Sequence, residues 1–165
     1  MFNLHCTKKL LERIKPEVDL AVHGSTVLGD WYATALFWRP QLALLVNERT
    51  LLPVVMPLAP ASNLAERFPV ALAQVLRALD IEPDKVKSEL QKMGQVTYCK
   101  TSNRSVLGIM NQFAFQAESY RDHFGVVDPL VLSVKLAGTP CSPLYKGAIC
   151  PDLAVKEVMA EGIVH

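Results

Sequence analysis

Three apolar stretches near the middle of the chain carry its clearest strand pattern. They are rich in aromatic, leucine and valine side chains and cover residues 31–38, 41–47 and 50–56. The polar connections, Arg39-Pro40 and Glu48-Arg49, are short enough for antiparallel hairpins. The pattern predicts a three-stranded meander in which Pro53, which has no N–H, marks an edge strand or a bulge.

Apolar residues spaced by three and four positions predict helices elsewhere. The longest predicted helix covers residues 105–124, ends at Gly125 and buries most of Phe113 and Tyr120. Its expected apolar face consists of Val106, Ile109, Met110, Phe113, Ala117, Tyr120 and Phe124. Other helices are predicted to start at Lys8, with Thr7 as the cap, and at Pro69 and Pro83, since proline is favoured at the first helical position.

The remaining segments complete the predicted order of elements. Residues 2–6 and 95–101 fit short strands, and residues 152–160 fit a terminal helix. Residues 130–136 fit both a short helix and a strand, and the pattern leaves both open. We therefore expect an α+β fold, with an antiparallel sheet built on the meander and covered by several helices.

Composition is typical of a single globular domain over residues 1–165. Half of the 165 residues are hydrophobic and a fifth are charged, and no linker or repeat divides the chain. The formal net charge of +1 gives no support to nucleic-acid binding. No apolar run is long enough to cross a membrane, and the N-terminus lacks the pattern of a signal peptide.

Four dispersed cysteines favour a cytoplasmic protein with reduced thiols. They form no CxxC pair and stand at Cys6, Cys99, Cys141 and Cys150. We expect no metal site, because zinc needs four closely spaced ligands and His5 and Cys6 point to opposite faces of a strand. We also expect no cofactor, since the common nucleotide-binding and catalytic motifs are absent from the sequence.

The best candidate site is the junction between a predicted strand and the longest helix, at residues 100–105. A helix start leaves unpaired N–H groups and a partial positive charge, to which Lys100 and Arg104 would add two full charges. Asn103, Arg104 and Ser105 are therefore expected to hold a phosphate or carboxylate. The alternative is structural: Asn103 or Ser105 only caps the helix, while Arg104 is solvated or paired with an acid.

A second surface of the same helix is indicated by Gly108, Asn111 and Phe115, which lie away from its apolar face. Glycine inside a helix is costly, so Gly108 is expected to permit close approach of another group. Packing within the domain or against a second copy in a homodimer is favoured over a ligand. Asn111 is nevertheless retained among the candidate ligand-binding residues.

Several stretches of the chain resemble a family of bacterial domains of unknown function. These are LHCTKKLLERI, LGDWYATALFWRPQLALLVNERTLLPV, NRSVLGIMNQF and TPCSPLY. The most specific is an N-R-S-x-x-G-x-M-N run, formed by Asn103, Arg104, Ser105, Gly108, Met110 and Asn111. The resemblance implies a grouping and no activity.

Two classes of function remain open from the sequence. The favoured one is a ligand-binding or protein-interaction module that holds a small anion at Asn103-Arg104-Ser105. The alternative is a small enzyme acting on a phosphorylated or nucleotide-like substrate, with Arg104 as a charge clamp and His5 or Glu48 as the base. Binding is favoured because the sequence shows no positioned acid or base near the corner.

Overall fold

The chain folds around a five-stranded mixed sheet with the strand order β4-β3-β2-β1-β5. The structure, a computed structural model, describes residues 1–162. The strands are β1 (Phe2–Cys6), β2 (Trp31–Leu36), β3 (Leu42–Asn47), β4 (Pro53–Pro57) and β5 (Val96–Lys100). The helices are α1 (Lys8–Ile14), α2 (Leu64–Ala78), α3 (Pro83–Gln91), α4 (Arg104–Phe124), α5 (Pro129–Ala137) and α6 (Pro151–Glu161).

The predicted α+β fold and its three-stranded meander are confirmed, but the sheet as a whole is mixed and not purely antiparallel. Strands β2, β3 and β4 pair antiparallel, but β1 pairs parallel with both β2 and β5. Parallel neighbours need a long crossover connection, and α1 with the following loop provides one between β1 and β2. The strand–helix–strand order at the start of the chain was the available signal for this parallel pairing.

Helices cover both faces of the sheet, which explains the unbroken apolar runs of β2 and β3. Every residue of these two strands is buried. One face packs against Leu10 of α1, Leu72 of α2 and Val155 of α6. The other packs against Phe113 of α4 and Leu132 of α5. Strands buried on both faces lose the alternation of polar and apolar residues that a half-exposed sheet shows.

Several predicted helix details differ in the structure. Helix α2 starts at Leu64, so Pro69 lies inside it, because burial of Leu64 and Phe68 extends the helix past the proline. Thr7 occupies the N-cap position of α1 but donates its hydroxyl to Thr34 instead of capping. The ambiguous segment at residues 130–136 is helical, within α5.

Helix α4 buries a narrower face than expected. Phe113 is fully buried as predicted, but Tyr120 is only half-buried and Phe124 is exposed. Gly108 has no atom within 4 Å of an added Cβ, and Phe115 is 73% exposed. The second surface of α4 is therefore not packed within residues 1–162, which excludes the packing-within-the-domain interpretation for the described chain.

The outer edge of β4 is closed to further strand pairing. The backbone groups of Leu52 and Leu58 bond towards β3. The backbone groups of the alternating residues Pro53, Val55 and Pro57 therefore point away from β3, towards the open edge. The two prolines have no N–H to donate, and the Val55 N–H donates to Ser133 Oγ at 2.8 Å. Pro53 thus marks the edge strand that its missing N–H predicted.

A buried carboxylate anchors the loop that leads into β2. Glu89 of α3 is almost fully buried and accepts hydrogen bonds from the Val27 N–H at 2.8 Å and the Leu28 N–H at 3.0 Å. Two backbone donors are thereby satisfied by one side chain. The bonds fix the position of the following residues, including Asp30.

Replacing Glu89 is expected to destabilise the fold. In Glu89→Gln the amide NH2 faces a backbone N–H that then lacks an acceptor, which costs about 1–3 kcal/mol. Chemical denaturation of the variant and of Glu157→Gln, an exposed glutamate on α6, measures the difference. Equal unfolding free energies for the two variants would show that the carboxylate does not anchor the loop.

Candidate functional site

A polar patch lies where β1, β2 and β5 meet on the α4 side of the sheet. Parallel register places His5 beside Tyr32 on one side and Cys99 on the other. Asp30 immediately precedes β2, and Glu48 immediately follows β3. Because Trp31 pairs with Asn47, the two acids lie next to each other at the same end of the sheet.

His5 and Asp30 form the central contact of this patch. His5 Nε2 lies 2.8 Å from Asp30 Oδ2, and His5 Nδ1 lies 3.1 Å from the carbonyl oxygen of Lys100. Both ring nitrogens therefore face acceptors, and a protonated Nε2 donates a hydrogen bond to the carboxylate. A proton on each nitrogen satisfies both contacts.

The pKa values of the pair shift in the directions this contact requires. Burial lowers the pKa of His5, but the hydrogen bonds to Asp30 and to the Lys100 carbonyl outweigh it, so the net shift is upward. Burial raises the pKa of Asp30, but hydrogen bonds from His5 and Asn3 outweigh it, so the net shift is downward. Both shifts favour an imidazolium–carboxylate pair.

Asp30 connects His5 to the rest of the patch. Its second carboxylate oxygen accepts from Asn3 Nδ2 at 2.9 Å. Its backbone carbonyl accepts from Asn47 Nδ2 at 3.1 Å and from the Glu48 N–H at 3.0 Å. These bonds join the ends of β1, β2 and β3 through a single residue.

Tyr32 links the patch to the start of α4. Its ring stacks on His5 with centroids 4.6 Å apart and an interplanar angle of 17°. Its hydroxyl oxygen accepts from the Asn103 N–H at 3.0 Å. Asn103 Nδ2 in turn donates to Glu48 Oε1 at 3.1 Å. The corner predicted from the sequence is therefore bonded directly to the patch.

Asn103 is the cap of helix α4. Its Oδ1 accepts from the Ser105 N–H at 3.0 Å and from the Val106 N–H at 3.2 Å. The N–H groups assigned to an anion from the sequence are thus already paired, as in the structural alternative. The Arg104 side chain is exposed and makes no hydrogen bond or ion pair with any residue between 1 and 162.

The remaining predicted site residues are divided between a cavity and a distant face. Lys100 lines a cavity of about 630 Å³ together with Thr101, Ser102, Cys99 and His5. Asn111 lies seven residues beyond Arg104, which is about 10 Å along the helix axis. Only a ligand of at least that length would touch both Arg104 and Asn111.

Asn3, Asp30 and Tyr32 are the residues of this patch that sequence reasoning missed. The available signal was the polar pair Asn3 and His5, which alternates with buried Phe2, Leu4 and Cys6 along β1. Polar residues on one face of a central strand indicate a site on that face.

Comparison with known proteins identifies the family. Residues 3–154 match the family described as a domain of unknown function, DUF6933. The chain belongs to this family. No curated protein and no solved structure matches it.

The matched region of this DUF6933 chain contains the whole polar patch and the β5–α4 corner, from Asn3 to Asn111. Membership confirms the grouping that the sequence resemblance implied, and it assigns no activity. Two parts of the resemblance remain predictions: that the family is bacterial, and that the N-R-S-x-x-G-x-M-N run is characteristic of it. Among the described residues, no helix is both long enough and apolar enough to span a membrane.

Asn103 and Ser105 are expected to differ in their contribution to stability. Asn103→Ala removes the cap of α4 and the bond to Glu48, so it should lower the unfolding free energy by about 0.5–2 kcal/mol. Ser105→Ala removes an exposed hydroxyl and should change it by less than about 0.5 kcal/mol. Denaturant unfolding of both variants tests this order, which a larger loss in Ser105→Ala would reverse.

The four thiols of this DUF6933 chain, all free, are expected to react at different rates. Burial and the neighbouring Cys99 raise the pKa of Cys6 to about 12, and burial and Cys150 raise the pKa of Cys141 to about 11. Burial also raises the pKa of Cys99, whereas Cys150 is only half-buried. Thiolate, the reactive form, is therefore scarce at three of the four positions near neutral pH.

Thiol titration with a chromogenic disulfide near pH 8 should show one fast thiol in the native protein and four after denaturation. Cys150→Ser should abolish the fast phase without slowing the others. A fast phase that persists in Cys150→Ser would place reactivity at a buried cysteine. Fewer than four thiols in freshly purified, denatured protein would contradict the expectation of reduced cysteines.

Proposed function

We propose that this protein is a binding module for a small anionic ligand, held at the β5–α4 corner, residues 100–105. One observation carries the proposal: Lys100, Thr101 and Ser102 line one cavity with His5. Its volume of about 630 Å³ lies within the range of small-molecule sites. Lysine, threonine and serine, which line this cavity together, are residue types suited to binding a phosphate or carboxylate.

The anion would be held by side chains and not by the helix start. The Ser105 and Val106 N–H groups are paired with Asn103, so they offer an incoming ligand no free donor. Lys100 and Arg104 are exposed cations at the two ends of the loop, and neither side chain has a hydrogen bond or ion pair to residues 1–162. Binding an anion would therefore not break an existing ion pair of either side chain.

Asp19 defines a second end of the cavity. It follows Val18, which pairs with Tyr98 of β5, and it lines the same cavity as Lys100. Negative charge at this end disfavours a ligand that is anionic throughout and favours donor groups such as hydroxyls. A phosphorylated or nucleotide-like compound combines both kinds of group.

One observation supports the enzyme alternative: the hydrogen bond between Asn103 and Glu48 joins the corner to an acid. Glu48 is the better base of the two considered, because both nitrogens of His5 are already bonded. However, the cavity that holds Lys100 and His5 is lined by neither Glu48 nor Arg104. Ligand binding without chemistry remains the better-supported function.

Thermal-shift measurements with phosphate, sulfate and adenosine monophosphate test the proposal. We expect one of these anions to raise the melting temperature of the wild type, and Lys100→Ala to weaken its binding about tenfold or more. Arg104→Ala should weaken it less, because Arg104 belongs to the corner but does not line the cavity. Arg39→Ala, which removes an exposed arginine outside the corner, is the matched control. The proposal fails if no anion shifts the wild type, or if the corner variants and the control bind equally well.

A further inference from the structure

We propose that His5, Asp30 and Glu48 form a binding site for a divalent metal ion, hereafter the metal site. This inference goes beyond the anion site and does not depend on it. Each residue offers one ligand atom, and the three atoms lie within 4.8 Å of one another. The three side chains come from three separate segments, the end of β1, the start of β2 and the end of β3.

The spacing of the three ligand atoms suits one ion. Ligands about 2.1 Å from a metal are separated by about 3 Å when they are at right angles and by about 4.2 Å when they are opposite. The distance of 2.8 Å between His5 Nε2 and Asp30 Oδ2 is close to the first value. The 4.8 Å within which all three atoms lie exceeds the second value, so the Glu48 side chain would have to move towards His5 and Asp30 to place all three ligands on one side of an ion. The other positions of the ion would then be open.

Each ligand is oriented by a second hydrogen bond, as is typical of metal sites. The Lys100 carbonyl accepts from His5 Nδ1, which directs the lone pair of neutral His5 Nε2 towards Asp30. Asn3 holds the other oxygen of Asp30, and Asn103 holds one oxygen of Glu48. The 2.8 Å contact between His5 Nε2 and Asp30 is a hydrogen bond, and a metal ion would replace the proton that makes it.

The metal site is shielded on one side and accessible on the other. The side chain of His5 is 9% exposed and that of Asp30 is 23% exposed. Asp30 and Glu48 line a cavity of about 410 Å³ that also contains His23 and Arg49. The Arg49 guanidinium bonds to the Val27 carbonyl and to Glu161. The cavity offers the open positions of the ion to water or a small ligand.

One imidazole and two carboxylates select the class of ion. Mg²⁺ and Ca²⁺ prefer oxygen ligands alone, and thiolate sites prefer softer ions, whereas Mn²⁺ and Zn²⁺ accept a mixed set of nitrogen and oxygen. Sequence reasoning expected no metal because it considered neighbours along the chain. The ligands of this metal site are far apart in sequence and are brought together by strand pairing.

Titration of the chelator-treated, full-length protein with Mn²⁺ tests the inference. Electron paramagnetic resonance of free Mn²⁺ should show one bound ion per chain, and Zn²⁺ should displace it. Asp30→Asn and Glu48→Gln should each weaken binding about tenfold or more, while Glu12→Gln, an exposed glutamate on α1, should not. Circular dichroism establishes that each variant is folded, and Glu48→Gln gives the decisive result if Asp30→Asn unfolds.

Two outcomes would overturn the metal site. One is no binding of Mn²⁺ or Zn²⁺ by the wild type up to about 1 mM, which would leave a proton as the bridging cation. The other is equal affinity in Glu48→Gln and the wild type. Arg104→Ala should bind Mn²⁺ normally, so failure of the anion site and failure of the metal site are distinguishable.

Discussion

The carboxylate of Asp30 is the constraint on which the polar patch depends. One oxygen accepts from Asn3 and the other contacts His5, while the backbone carbonyl of Asp30 accepts from Asn47 and Glu48. The residue is therefore held by β1 and by the end of β3 at once. The position of Asp30 also depends on Glu89 of α3, whose carboxylate accepts from the N–H groups of Val27 and Leu28, just before Asp30 in the chain. A carboxylate on a surface helix thus determines the geometry at the opposite end of the loop.

This arrangement places opposite charges in a setting where neither can relax. His5 is stacked on Tyr32 and bonded through both nitrogens, so its ring has no freedom to rotate. Tyr32 and Glu48 both reach Asn103, so the start of α4 is bonded to the charged pair through two short paths. A ligand at the β5–α4 corner and an ion at the metal site would consequently contact the same rigid set of side chains. Networks of this kind transmit a change at one member to the others.

The sequence predicted those features that depend on local pattern. The meander, the Lys8–Ile14 helix, the long helix and its cap at Asn103 all follow from spacing, turns and caps. The parallel pairing of β1 does not, because strand partners are chosen by packing across the whole domain. Missing that pairing concealed the contact of His5 with Asp30, which lie 25 residues apart. Burial of Leu64 and Phe68 likewise overrode the preference of Pro69 for a helix start.

The closed edge of β4 limits how copies of this chain can associate. Two outward prolines and the Ser133 hydroxyl leave Val55 no free N–H for a neighbouring strand. At the opposite edge, Asp19 already donates to the Tyr98 carbonyl in the middle of β5. Growth of the sheet from one molecule to the next is therefore obstructed, as in proteins that avoid fibre formation. A homodimer would have to join helical surfaces, and the uncovered side of α4 around Gly108 and Phe115 lies on the far side of that helix from the sheet.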